Sequence, residues 1–234
     1  MTKIGSVALL AGVMGFATDA AAENRGLSPI TLLAVAKPAS AEYNSMDDFL
    51  QQASLKNQKV IFHRTGDLNN DGLEDWAGIL SKDKAEEAEE APLIKLVVLI
   101  KLHSGHYAES ASSMEVKDYY RFSPSSSFDF EIKNSSIYFS TSAHTCCVVY
   151  SSVYQFKLYN GVWRLVGKKT SSGNTFSGEN PDDDFSKEED VNMLTGLTIS
   201  TVVRGNKKSE KRFINKTRVF LLKDFDFSGS YAAP

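Results

Sequence analysis

The sequence predicts a mostly β protein, an antiparallel sheet or a sandwich or half-barrel, with one short helix near the start of the folded chain. Three stretches carry that expectation. "FDFEIK" at residues 128–133 alternates apolar and charged side chains with the period of a half-buried strand. "SSVYQFKLY" and "VWRLVGK" flank Asn160-Gly161, the dipeptide of a tight two-residue hairpin turn. "LIKLVVLIKL" at residues 93–102 is a near-continuous apolar run, the signature of a central strand covered on both faces.

Composition agrees with a packed core. Of the 234 residues, 42% are hydrophobic, 11% aromatic and 24% charged, which excludes disorder of the whole chain. A formal net charge of −3 makes no case for a nucleic-acid partner.

The N-terminus reads as an export address. Lys3 precedes an apolar run from Ile4 to Ala17, followed by the small residues of "ATDAAAENR". That run is shorter than the ~20 residues a membrane span needs. Small residues offer cleavage after Ala22 or, beyond a second apolar run from Ile30 to Ala36, after Ala41. The expectation is a signal peptide or leader over residues 1–41, with cleavage after 22 as the alternative, and a single β-rich domain over 42–234. No cysteine lies near either site to take a lipid, and no transmembrane segment is expected in the mature chain. Removing residues 1–41 takes away Lys3, Arg25 and Lys37 against Asp19 and Glu23, so the net charge moves from −3 to −4. The expected location is periplasmic or secreted, an oxidising compartment with access to calcium.

The mature chain begins with a helix in "NSMDDFLQQAS", capped by Ser45, with Asp48 as the capping-box acid and Phe49, Leu50 and Ala53 on its apolar side. Strands are expected at 60–64 and 76–80, then at 93–102, 128–133 and 137–140, with "NSS" turning the chain between the last two. The Asn160-Gly161 hairpin places Tyr154, Phe156 and Leu158 on one face. "GLTISTVVRG" and "RFINKTRVFLLKDF" are expected to pair through Gly205 and Asn206. Residues 82–92 and the polar, acid-rich stretch 171–190 read as loops. No internal repeat occurs, which argues against a propeller or solenoid.

Chemistry concentrates in "GDLNNDGLEDW", residues 66–76. Calcium takes six to eight oxygens, and alternate residues of a tight loop can supply the side chains of Asp67, Asn69 and Asp71, the carbonyl of Leu73 and the carboxylate of Asp75. Gly72 permits the bend that keeps them convergent. Asp67, Asp71 and Asp75 would repel one another without a cation. An EF-hand is excluded, because its twelfth position, normally a bidentate Glu, is Gly78 here and both flanks read as strands. The ion's expected role is structural, a clamp on a hairpin.

Residues 60–80 resemble the calcium loop of FG-GAP and related repeats, D-x-N-x-D-G-x-x-D between two strands. More closely, the chain resembles a group of uncharacterised exported bacterial proteins with one such loop near the mature N-terminus. The matching pieces are "LIKLVVLIKL", Cys146-Cys147, "YNGVWRLVG" as an NG-x-WRL-[IV]-G hairpin, and "NMLTGLTISTVVRGNKKSEKR". The resemblance spans most of residues 57–225 and implies a calcium loop but no activity.

Cys146 and Cys147 are the only cysteines. Three arrangements are open: a vicinal disulfide, a pair of free or intermolecular thiols, or one buried beside one exposed. Export favours the first two, and the spacing is poor for zinc. His103 and His106 in "HSGH" read as a polar turn, and His63 and His144 stand apart. No nucleophile-elbow or Cys-His context appears. The expected function is an exported, non-enzymatic binding protein with a structural calcium loop, of the inhibitor or immunity type, whose partner is a toxin or hydrolase in the periplasm. A calcium-stabilised envelope hydrolase and a structural envelope protein are the alternatives. The basic stretch 204–218 is the candidate contact face.

Overall fold

Two antiparallel sheets face each other across an aromatic and aliphatic core, in a computed structural model that describes residues 41–82, 92–118, 126–174 and 185–226. All of these lie in one compact unit, Pro38–Pro234. Sheet A is ordered β1-β5-β4-β3-β2 from β1 (Glu42–Tyr43), β2 (Gln58–Gly66), β3 (Asp75–Lys82), β4 (Leu93–Lys101) and β5 (Tyr107–Ser112), with β6 (Val116–Lys117) also on β4. Sheet B is a seven-stranded meander of β7 (Ser126–Lys133), β8 (Ser136–His144), β9 (Val148–Tyr159), β10 (Val162–Asn174), β11 (Phe185–Asn192), β12 (Leu197–Arg204) and β13 (Lys207–Ile214). The mostly β fold with one short helix is therefore what the chain adopts. The leader and the cleavage candidate at Ala22 lie outside the described residues.

The helix α1 (Met46–Leu55) starts at Ser45, which has extended backbone and whose hydroxyl accepts the Asp48 N–H at 3.2 Å. Asp48 reaches back to accept the Asn44 N–H at 2.9 Å, one residue before the partner a standard capping box uses. Phe49 and Ala53 are buried, whereas Leu50 is exposed and does not join the apolar side assigned to it. The helix covers the outer face of sheet A, where Phe49 meets Tyr43, Trp76, Leu80, Val97 and Leu99.

β4 is covered on both faces, as its apolar run predicts. Val97 and Leu99 go under the helix; Ile94, Leu96 and Val98 enter the core between the sheets. There they meet Phe130, Ile137, Phe139, Phe156, Trp163 and Leu165 of sheet B. Each such side chain contributes about 1.5–3 kcal/mol by leaving water. The sheets also meet at two edges. At one, the ring of Phe62 of β2 packs at a tilt against Phe130 of β7, with centroids 4.9 Å apart. At the other, Trp163 of β10 donates its indole N–H to Ser110 of β5 at 3.0 Å, and the Leu165 N–H reaches the Phe220 carbonyl at 2.9 Å.

Sheet B continues past this closure. No residue of β11, β12 or β13 enters the buried core cluster, and all eight residues of β13 are exposed. Two expectations are corrected here. The stretch 171–190 is not one loop: β10 runs to Asn174 and β11 begins at Phe185. The last strand begins at Lys207 rather than Arg212 and ends at Ile214; residues 215–226 then arch back over the sheet, with a 3₁₀ turn at Leu222–Asp224. Exposed strands of this kind are held by ladder hydrogen bonds to a neighbour, so apolar alternation does not announce them.

Candidate metal centre

The loop between β2 and β3 folds around its own acids. Asp67 accepts the Asp71 N–H at 3.2 Å on one oxygen and the Gly72 N–H at 3.0 Å on the other. The Asn69 side-chain oxygen accepts the same Asp71 N–H at 3.1 Å. The side-chain oxygens of Asp67 and Asn69 therefore sit at one amide. Asp71 accepts the Leu73 N–H at 2.8 Å and the Asn69 side-chain amide at 2.8 Å. Gly72 has φ 82°, the left-handed conformation the sharp bend requires, and Asn70 adopts φ 62° beside it.

Three ties hold the loop to the body of the fold. Leu68 is inserted into the core between the sheets. Asn70 accepts the Ser135 hydroxyl, at the β7–β8 turn, at 2.5 Å. Asp75 is fully buried and accepts two backbone amides, Leu68 at 2.8 Å and Lys101, the last residue of β4, at 2.8 Å. Glu74 stays exposed and accepts the Thr65 hydroxyl. Gly78, whose place excludes an EF-hand, has its own reason to lack a side chain: a Cβ there would sit 2.3 Å from the Trp76 ring.

Electrostatics divide the acids. The Leu73 amide and then the Asn69 side chain hold the Asp71 carboxyl below the usual range, with a smaller contribution from His103 in the β4–β5 turn. Burial raises Asp75, its two amides pull it back down, and the charges of Asp71 and Asp67 push it up again. A buried carboxylate flanked by two more is an electrostatic debt that one divalent cation would cancel. The donor chemistry fits a hard cation: Asp67, Asn69 and Asp71 gather in one turn, with Asp75 beneath. Among the described residues no three His, Cys, Asp or Glu side chains form a metal-holding group by themselves.

The other candidates fall elsewhere. Cys146 and Cys147 are not on a strand but occupy the centre of the four-residue turn joining β8 and β9, closed by the Thr145 N–H to the Val148 carbonyl at 2.9 Å. Both are exposed, which removes the buried-and-exposed arrangement, and their sulfurs are 2.9 Å apart. Contact with Cys146 raises the Cys147 thiol above its ordinary value. His63 stacks on Trp76 at 6.1 Å, while His103 and His106 lie in an exposed turn.

One functional candidate is invisible to simple alternation. A bulge between Leu165 and Gly167 shifts β10 by one residue, so Lys168 pairs with Tyr154 and faces inward with it. Without the bulge, Lys168 would point away from the core.

Comparison with protein-family models, curated proteins and solved structures returned no match.

Proposed function

We propose that the protein is an exported, non-enzymatic binding protein whose β2–β3 loop is clamped by calcium and whose partner is another protein, of the inhibitor or immunity type in the periplasm. The observation that carries the reading is the division of sheet B into a covered half and an uncovered one. The outer strands take no part in the core, yet the chain keeps them ordered and rich in charge. β13 and the residues after it expose Lys207, Lys208, Lys211, Arg212, Lys216 and Arg218 against Glu210. Leu194, Leu197, Phe213, Ile214 and Val219 are exposed beside them. Apolar anchors bordered by one sign of charge suit a protein surface of the opposite sign. Export is supported by the leader pattern of residues 1–41.

Calcium belongs to the scaffold in this reading. Asp67, Asn69, Asp71 and the Leu73 carbonyl would hold the ion, with Asp75 offering its remaining lone pairs; the ion would supply charge and rigidity. Calcium should raise Tm in a concentration-dependent way, because a ligand bound only by the native state adds about 2.7 kcal/mol at a hundredfold excess over Kd. Asp71→Ala should abolish that rise. A melting curve indifferent to both calcium and chelator would remove the ion from the proposal.

The recognition surface has its own test. The immobilised protein is exposed to envelope extract beside a Lys208→Glu, Lys211→Glu, Arg212→Glu variant. A protein retained by the native chain and lost from the variant supports this face. Equal retention by both, or none by either, rejects it.

A further inference from the structure

Between the arch formed by residues 215–226 and the inner face of sheet B lies an open cavity of about 540 Å³. That volume lies within the range of small-molecule sites. Its walls include Tyr154, Met193, Phe213, Phe220 and Phe225, and its floor carries Lys168. We propose that this cavity binds a small anionic amphiphile, a carboxylate on an apolar body, with Lys168 meeting the carboxylate and the aromatic walls taking the apolar part.

Four observations converge on Lys168. The bulge at Val166 turns it inward, and bulges recur where a strand re-aims a side chain at a site. It is half-buried and forms no ion pair among the described residues; its ammonium rests 5.9 Å from the centre of the Tyr154 ring. The nearest acid on the sheet, Glu189, is engaged by Lys187 at 2.9 Å. Burial also holds the Lys168 amine below its ordinary value, with Glu189 offsetting this in part. By contrast Lys169, one residue on, faces the opposite side and pairs with Glu188 at 3.0 Å.

Other charged groups line the cavity as well: Glu189 on the sheet, Asp224 and Asp226 on the arch, and Lys216 and Arg218 nearer its start. Those on the arch carry both signs. On the floor, Glu189 shares the face of Lys168 but is ion-paired with Lys187, so Lys168 itself has no ion pair among the described residues. A half-buried cation without one costs stability that a bound anion restores.

The experiment is calorimetric titration of the full-length mature protein with decanoate, with decanol and decylamine as uncharged and cationic controls. The expected result is one decanoate per chain, bound at least about tenfold more tightly than either control, the worth of one charge-assisted hydrogen bond. Lys168→Met should lose that preference while raising Tm by about 2 °C in the absence of ligand. Lys169→Met should bind decanoate as the native chain does. Equal binding of decanoate and decanol would reduce the cavity to a non-specific apolar gap. No decanoate binding at millimolar concentration would overturn the proposal, as would a Lys168→Met protein that melts earlier and binds decanoate normally.

Discussion

The covered and uncovered parts of sheet B share two strands, β9 and β10, whose sequences change where the cover ends. β10 begins as "VWRLVG", with Trp163 and Leu165 buried against sheet A, and finishes as "KKTSSGN", with no buried residue. β9 runs the other way, from "VVYSS" at the uncovered end to "VYQFKLY", in which Phe156 is wholly buried. Across the uncovered part the strands trade aromatic contacts for small polar ones, such as the hydroxyls of Ser151 and Ser171 at 2.7 Å. One continuous hydrogen-bonded sheet thus carries two jobs. The covered half supplies the stability, and the uncovered half displays surface.

The sharpest way to break that comparison is to remove one aromatic ring from each half. Phe156→Ala should cost about 4 kcal/mol, because the core packed between the two sheets cannot collapse around the lost ring. Tyr150→Ala, six residues earlier on the same strand and already 39% exposed, should cost less than about 1 kcal/mol. Urea denaturation of the two variants measures both. Similar losses would mean that the outer half is stabilised as strongly as the inner one.

The next largest effect belongs to the loop. Asp75→Ala would leave the Leu68 and Lys101 amides buried without acceptors, at about 1–3 kcal/mol for each group. We expect a total loss of about 3 kcal/mol by urea denaturation even in chelator, since this part of the residue's work needs no metal. Asp71→Ala, partly exposed and bonded only within the loop, should cost much less in chelator and show its effect when calcium is added. If the two variants are equally unstable in chelator, Asp75 is not the anchor described.

How far the sequence could be read follows the same boundary. The covered parts were legible: the double-faced run of β4, the Ser45 cap, the Asn160-Gly161 turn and the spaced acids of the loop each leave a local pattern. The ties beneath the loop were not. Nothing in the spacing of Asp75 shows that it spans from Leu68 to Lys101, because that contact depends on sheet pairing 26 residues away. Likewise "KEED" of β11 and "KKSEKR" of β13 are strands without an apolar face; only their neighbours make them so. The inward turn of Lys168 was hidden by a one-residue bulge, which reverses every later side chain in β10.

The smallest predicted effect tests whether the uncovered half has any electrostatic cost of its own. Burial pushes the Asp190 carboxyl of β11 above the usual range; Lys169 opposite pulls it down, and Glu188 pushes it up again. Lys169 cannot relieve it fully, being bonded to Glu188. A carboxyl whose folded pKa is raised favours the folded state when protonated. Its contribution is therefore intact below its unfolded value of about 3.9 and is lost as pH rises through the folded one. Asp190→Asn, which cannot ionise, should match the native protein near pH 3 and become the more stable of the two by pH 7. The difference in Tm should open as pH rises above about 3.9 and level off above the folded pKa. A difference that stays flat with pH, or one that favours the native chain at neutrality, would mean that Asp190 is a satisfied surface charge and that the outer half bears no such cost.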